Sequence, residues 1–320
     1  MEIHQSPADA IDGLADYPTE TRYVAVDANP AGSSRGRGQR LRVHMVDMNP
    51  DAERVVVFLH GNPSWSYIWR HQIAAVAAAG YRVIAPDLVG MGMSDKPSEL
   101  ADYSVTAHVE WMRLVLVDGL GLMGVDMVLH DWGGIIGMRL AAENPGLVNR
   151  MVISNTGFPD RDPSEPLPDV IEARGPHADF QEMARVAPVW EPWSLLPMVM
   201  VNEPSSRVIA GYRAPYPDSS LTIGSRAFTQ LLPTRPDNPM YPANHEAWKV
   251  LDDWTKPILT IFSDKDVVAP DGWKALVERI PGAKDQPHVV LEGGGHFLQE
   301  DIGPAYTEAL MTWLGPAGSR

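Results

Sequence analysis

"VLHDWGGIIG" (128–137) decides how this chain folds. Apart from His130 and Asp131, every residue in it is apolar or glycine. The run "VDMVLH" (125–130) has the make-up of a short strand covered on both faces, and "WGGIIGMRLAAENP" (132–145) has helical composition. An aspartate therefore stands on the corner between a buried strand and a helix. Two readings fit that corner. As an N-cap, Asp131 would accept hydrogen bonds from the first free N–H groups of the helix. As the middle residue of a small-x-nucleophile-x-Gly turn it would be thrust out of the sheet, with Gly133 and Gly134 relieving the crowding behind it. Leu129, at the first small position, departs from that pattern. On either reading the helix N-terminus favours the carboxylate's charge.

The alternation of strand and helix extends outward in both directions. "RVVVFLH" (54–60), "YRVIAPD" (81–87), "NRMVIS" (149–154), "KPILTIF" (256–262) and "HVVLE" (288–292) are short apolar runs, and segments of helical composition such as 66–80 and 105–122 lie between them. Runs of this kind suit strands buried on both faces, which implies parallel strands joined by right-handed crossovers in a doubly wound α/β sheet. Ahead of them, "RYVAV" (22–26) and "LRVHMVD" (41–47), separated by a glycine-rich turn over 29–39, read as an antiparallel opening. Eight strands result. The alternation fails over 157–250, a proline-dense stretch without a buried strand that is too long for a loop. We read it as a helical cap inserted into a core of 1–156 and 251–320. The last residues, "GPAGSR" (315–320), read as a frayed tail.

Composition narrows the partners. With 320 residues and a formal net charge of −15, the chain can bury a sizeable core and would be repelled by nucleic acid or an anionic membrane. It has no cysteine, which excludes disulfides, thiol nucleophiles and cysteine-ligated metals. The first residues are acidic and lack the apolar core of a secretory signal, and no stretch reaches the roughly 18 apolar residues of a spanning helix. The expectation is a soluble cytoplasmic protein without metal or cofactor.

Two further strand ends carry polar residues. "KPILTIF" runs into Ser263-Asp264-Lys265-Asp266, and "VVLEGGGHFLQE" places His296 in a glycine-rich loop after the last strand. Ligands in such sheets bind at these C-terminal strand ends, and the chain order of nucleophile, acid and histidine resembles that of α/β-hydrolases. The loop after the third strand, "HGNP" (60–63), matches the one that in such folds gives a backbone N–H to an oxyanion hole, with the Trp132 N–H as the second donor. His60 and His130 read as supports for the loops they sit in.

Taken together, "HGNPSWSYIWR", "RVIAPDLVGMGMSDKP", "HDWGG", "AGYRAPYPD" and "GGGHFLQED" resemble the haloalkane dehalogenases of the α/β-hydrolase superfamily over about residues 20–314. The resemblance implies an α/β-hydrolase fold with a helical cap, and hydrolysis of a small halogenated hydrocarbon to alcohol, halide and proton. Asp131 would attack an sp³ carbon and form an alkyl ester, His296 would activate the water that hydrolyses it, and Asp266 would orient the imidazole. Asp264 competes with Asp266, and the family's loop pattern favours Asp266. Some members carry the acid after the strand that follows the nucleophile, where this chain has Asn155. The halide would sit between Trp132 and a second donor, either Asn62 or a cap tryptophan. Phe180 falls at the usual cap position and cannot donate, so Asn62 is expected to serve, with Trp190 and Trp193 nearby in the cap. An epoxide hydrolase with Tyr212 and Tyr216 as proton donors is the alternative reading, and a catalytically silent hydrolase-fold binding protein is the third.

Overall fold

The computed structural model of the chain describes residues 1–29 and 36–318. Most of the expected glycine-rich turn at 29–39, and the last two residues of the expected tail, lie outside the described residues. Eight strands form one sheet: β1 (Thr21–Asp27), β2 (Arg40–Met48), β3 (Val55–Leu59), β4 (Arg82–Pro86), β5 (Val125–His130), β6 (Val148–Ser154), β7 (Ile258–Ser263) and β8 (Val289–Leu291). Their spatial order is β8-β7-β6-β5-β3-β4-β2-β1. β1 pairs antiparallel with β2, and β2 antiparallel with β4. All pairings from β4 across to β8 are parallel. This is the α/β-hydrolase sheet, mostly parallel and flanked by helices.

Alternation along the central strands explains why both faces are covered. Val57 and Leu59 of β3 and Met127 and Leu129 of β5 point to one side, where they join Trp111 of α2 (Val105–Arg113) and Ile136 and Leu140 of α3 (Trp132–Glu143). Val56, Phe58 and Val128 point to the other side, against Ile73 of α1 (Arg70–Ala78) and the C-terminal helix. Each such buried Val, Leu or Phe side chain is worth about 1.5–3 kcal/mol of transfer free energy, so a one-residue slip of register would forfeit both layers.

Between β6 and β7 the chain forms helices α4 (Pro176–Val186), α5 (Leu196–Val199), α6 (Ser206–Arg213), α7 (Ile223–Gln230) and α8 (Tyr241–Leu251). α8 packs on α3, and its Trp248 is buried with Nε1 donating to the Phe158 carbonyl at 3.1 Å. After β7 come α9 (Gly272–Arg279), α10 (Leu298–Asp301) and α11 (Gly303–Leu314). Tyr306 and Leu310 of α11 close the second face of the sheet.

Two expectations need correction. The helix read over 105–122 is α-helical only to Arg113 and then widens into a π-turn, Leu114–Gly119. The tail does not fray from Gly315: Tyr81 Oη donates to the Gly315 carbonyl at 3.0 Å, and the Ala317 N–H donates to the Ala79 carbonyl at 3.2 Å. Both ties involve residues more than two hundred positions away in sequence, and local composition does not register them. Among the described residues, no helix is long and apolar enough to cross a membrane.

Candidate active site

Asp131 adopts φ 51° and ψ −125° between the end of β5 and the first residue of α3. A non-glycine residue in this region is strained by about 1–3 kcal/mol and persists only where its surroundings hold it. The surroundings are tight. A Cβ on Gly61 would lie 2.1 Å from Asp131 Oδ1, and one on Gly133 would lie 2.3 Å from the Leu59 carbonyl oxygen, so the corner closes only with glycine at both positions. Thr156 Oγ1 donates to the Asp131 carbonyl at 2.7 Å. The carboxylate makes no capping hydrogen bond to α3, which removes the N-cap reading. Instead Oδ1 accepts the Asn62 backbone N–H at 2.7 Å, and the Trp132 N–H also favours its charged form.

The loop after β8 brings His296 to the same corner. Its Nδ1–H donates to Asp266 Oδ1 at 3.0 Å, and Nε2 lies 3.4 Å from Asp131 Oδ2 without a hydrogen-bond partner of its own. Asp266 is itself fixed by the Val268 N–H on Oδ1 at 2.8 Å and the Ala269 N–H on Oδ2 at 3.3 Å. Asp264 points elsewhere: its carboxylate accepts the Gly293 N–H and pairs with exposed Lys265, the role of a turn residue. His130 Nε2–H donates to the His296 carbonyl at 2.8 Å. Asn155 Nδ2 donates to the carbonyls of Gly295 and His296 at 3.0 and 3.1 Å, while its Oδ1 accepts the Ser263 N–H. Position 155, the alternative acid position that the resemblance implies, therefore carries an amide that bolts down the histidine loop. His60, as expected, holds its own loop, donating from Nδ1 to the Gly61 carbonyl and accepting the Leu88 N–H on Nε2.

Burial would depress the His296 pKa, but the Asp266 and Asp131 carboxylates outweigh it and push the imidazole up to about 10. Burial would raise Asp131, yet the adjacent His296 imidazole and its charge hold it below the usual carboxylate range, and Asp266 is lowered by the same partner. These shifts favour an imidazolium between two carboxylates. His130, buried and next to His296, is driven down to about 4 and stays neutral.

Above the corner lies a cavity of about 180 Å³. Asn62, Asp131, Trp132 and His296 line it from the core, and Phe180, Leu195, Met198 and Leu232 line it from the inserted helices. Among the described residues, neither Trp132 Nε1 nor Asn62 Nδ2 has a hydrogen-bond partner, so two N–H donors next to an apolar cavity remain unspent. The other aromatic candidates stand elsewhere. Trp190 donates Nε1–H to Ser225 Oγ at 3.1 Å, and Trp193 stacks on Tyr216 beneath the Arg213 guanidinium. Tyr212 Oη donates to Glu300, and Tyr216 Oη accepts the Gly92 N–H. None of these four lines the cavity.

A family model described as alpha/beta hydrolase fold matches residues 54–193. The haloalkane dehalogenase of Mycolicibacterium paratuberculosis (strain ATCC BAA-968 / K-10) is 39% identical over 315 residues, covering 98% of each chain. This chain belongs to the haloalkane dehalogenase family. As such it is a hydrolase acting on carbon–halide bonds. The solved tetrameric haloalkane dehalogenase DpaA of Paraglaciecola agarilytica NO2 matches 96% of this dehalogenase with 97% of its own length, at a TM-score of 0.80 and 25% identity. A cis-3-alkyl-4-alkyloxetan-2-one decarboxylase of Xanthomonas campestris pv. campestris (strain ATCC 33913 / DSM 3586 / NCPPB 528 / LMG 568 / P 25) is 35% identical over 284 residues, 84% of this chain and 91% of that protein.

Sequence reasoning passed over three polar residues that shape this dehalogenase's site. Asn155 reads from the sequence only as a position without the acid, and its place in "VISNTG" is the available signal. Thr156, which steadies the Asp131 backbone, sits next to it. Ser225 gave no signal, because the Asn62 side chain it meets is 163 positions away. Among the described residues, no group of three or more His, Asp or Glu is arranged to hold a metal ion.

Proposed function

We propose that this dehalogenase works through a covalent alkyl ester on Asp131. The observation that carries this reading is the unequal environment of the two carboxylate oxygens: Oδ1 is pinned by backbone N–H, while Oδ2 stands beside His296 at a cavity with two free N–H donors. Oδ2 attacks the halogen-bearing carbon, the carbon–halogen bond breaks, and the halide leaves with the bonding electrons between Trp132 Nε1–H and Asn62 Nδ2–H. Esterification neutralises Asp131 and so removes one of the two charges that hold the proton on His296. The imidazole releases that proton to solvent and then takes one from a water that attacks the ester carbonyl. The oxyanion develops on Oδ1, against the Asn62 and Trp132 N–H groups, and its collapse releases the alcohol and restores Asp131. Asp266 keeps the imidazole proton on Nδ1 throughout. The cap in this reading comprises α4 to α7. α8 falls within the expected 157–250 but packs on α3, so we count it with the core.

An epoxide ring leaves as an alkoxide and needs a proton donor, and neither candidate tyrosine lines the cavity: Tyr212 donates its O–H to Glu300, and Tyr216 accepts the Gly92 N–H. The test is a halide-release screen over chlorinated, brominated and iodinated alkanes, run beside styrene oxide and a cis-3,4-dialkyl oxetan-2-one. Halide release with alcohol is the expected result. Diol without halide, or alkene and carbon dioxide from the oxetanone alone, would overturn it. For the halide donors, Asn62→Ala is expected to weaken bromide binding roughly tenfold, in line with loss of a hydrogen bond to a charged partner. Phe180→Ala should change it by less than about twofold, since a phenyl ring donates nothing. Product inhibition by bromide measures both, and the reverse order would contradict the assignment.

A further inference from the structure

Asn62 can serve a halide only if its amide faces the cavity with nitrogen, not oxygen. Nothing in the core fixes that choice: the contacts of the Asn62 backbone, including the N–H on Asp131, are blind to which way the amide is turned. The choice is made from the cap. Ser225 Oγ, in α7, donates to Asn62 Oδ1 at 2.7 Å, and Trp190, in the connection after α4, donates Nε1–H to Ser225 Oγ at 3.1 Å. All three side chains are buried. Thr222 Oγ1 holds the Trp190 carbonyl at 2.8 Å, which steadies the start of the chain of donors.

The proton count gives this relay a direction. An indole N–H can only donate, so Ser225 must accept from Trp190, and its single proton is left for Asn62. With Oδ1 claimed by that proton, the amide NH₂ is the part of the side chain that remains for the cavity. Turning the amide over would make the Ser225 hydroxyl accept from both Trp190 and the amide NH₂, leave the Ser225 proton without Oδ1 as its acceptor in a buried site, and aim a carbonyl dipole at the halide. The last two changes are unfavourable.

We propose that Ser225, itself set by Trp190, is a positioning residue that locks the Asn62 amide with NH₂ toward the halide, so that halide binding depends on the cap being seated on the core. The proposal rests on the reading of Asn62 as a halide donor. It also gives Trp190 a part in halide binding without contact with the ion.

The experiment measures bromide affinity, by product inhibition and by quenching of tryptophan fluorescence, together with kcat and KM for 1-bromobutane. The variants are Asn62→Ala, Ser225→Ala, Ser225→Thr, Trp190→Phe and the double variant Asn62→Ala/Ser225→Ala. Ser225→Ala is expected to weaken bromide binding roughly fivefold to tenfold, and Trp190→Phe about twofold to threefold, because a freed hydroxyl can still point at Asn62 part of the time. Ser225→Thr keeps the hydroxyl and should keep the affinity. In the Asn62→Ala background, Ser225→Ala should add no further loss, which a general packing defect would not reproduce. Wild-type bromide affinity in Ser225→Ala, with Asn62→Ala weakened, would overturn the relay and leave the donor reading standing. Wild-type affinity in Asn62→Ala would overturn the donor reading and the relay with it. An equal loss from Ser225→Ala in both backgrounds would also overturn the relay.

Discussion

Given 1-bromobutane, the His296→Phe variant is expected to release one equivalent of bromide and then stall with a butyl group on Asp131, visible as an adduct on the peptide that carries "HDWGG". The displacement uses a lone pair of Asp131 Oδ2 and the N–H donors of Trp132 and Asn62, and none of these depends on the imidazole. Hydrolysis of the ester does depend on it, because among the described residues no other base is seen beside Asp131 Oδ2. Loss of a general base lowers the step it serves by about 10²–10⁴-fold, so the ester should outlive many wild-type turnovers. Phenylalanine suits the place because His296 is buried beside the rings of His130 and Phe297, and its backbone carbonyl is held by His130 and Asn155 independently of the side chain. Absence of both adduct and bromide would refute the two-step scheme, and so would ordinary turnover. The same variant has a signature in stability. His296 has a raised pKa in the folded state, so its charge stabilises the fold fully below the unfolded value near 6.5, and this contribution is lost as pH rises through about 10. Urea midpoints of the wild type should therefore fall over that window by more than those of His296→Phe.

What the sequence revealed, and what it hid, divides along the range of the interactions involved. The strands were legible because each is a short run whose alternate residues meet opposite layers, a pattern contained within five or six positions. The corner at Asp131 was legible for the same reason: strand, carboxylate, glycines and helix are contiguous. The convergence of Asp131, Asp266 and His296 followed from topology, since parallel strands place their C-terminal ends on one edge. What stayed hidden depends on contacts between distant segments. The N-cap and nucleophile readings of Asp131 differ only in which N–H the carboxylate meets, and that N–H belongs to Asn62 on another loop. Trp190, Trp193, Tyr212 and Tyr216 are all aromatic residues of one proline-rich stretch, and only their partners, Ser225, Arg213, Glu300 and Gly92, separate them from the cavity. The packing of α8 on α3 likewise joins segments about a hundred positions apart, which local composition does not register. The resemblance to α/β-hydrolases implies a cap but does not supply these pairings.

Asp266→Asn is expected to lower kcat by about 10³–10⁴-fold while Asp264→Asn changes it by less than about threefold, the first figure following the loss seen when a triad acid becomes an amide. The carboxylate of Asp266 accepts from His296 Nδ1–H and so keeps the lone pair of the neutral imidazole on Nε2, facing Asp131. The Val268 N–H and His296 Nδ1 share Oδ1 while the Ala269 N–H meets Oδ2, so an asparagine at 266 with its NH₂ in the place of Oδ1 gives up the Val268 N–H, keeps the Ala269 N–H on its oxygen and donates to Nδ1. That moves the imidazole proton to Nε2, where the base needs a free lone pair. Asp264 has no such reach, being tied to Gly293 and Lys265. Two measurements separate this effect from simple damage. The burst of bromide in the first turnover should survive in Asp266→Asn, because the displacement makes no use of the tautomer. The acid limb of the hydrolysis rate should also move: the Asp266 charge is the foremost of the influences that raise the His296 pKa, and without it the imidazole loses its proton at lower pH, so the limb shifts downward. A larger loss from Asp264→Asn than from Asp266→Asn would assign the acid to the other end of the turn, and an upward shift of the limb would contradict the electrostatic role given to Asp266.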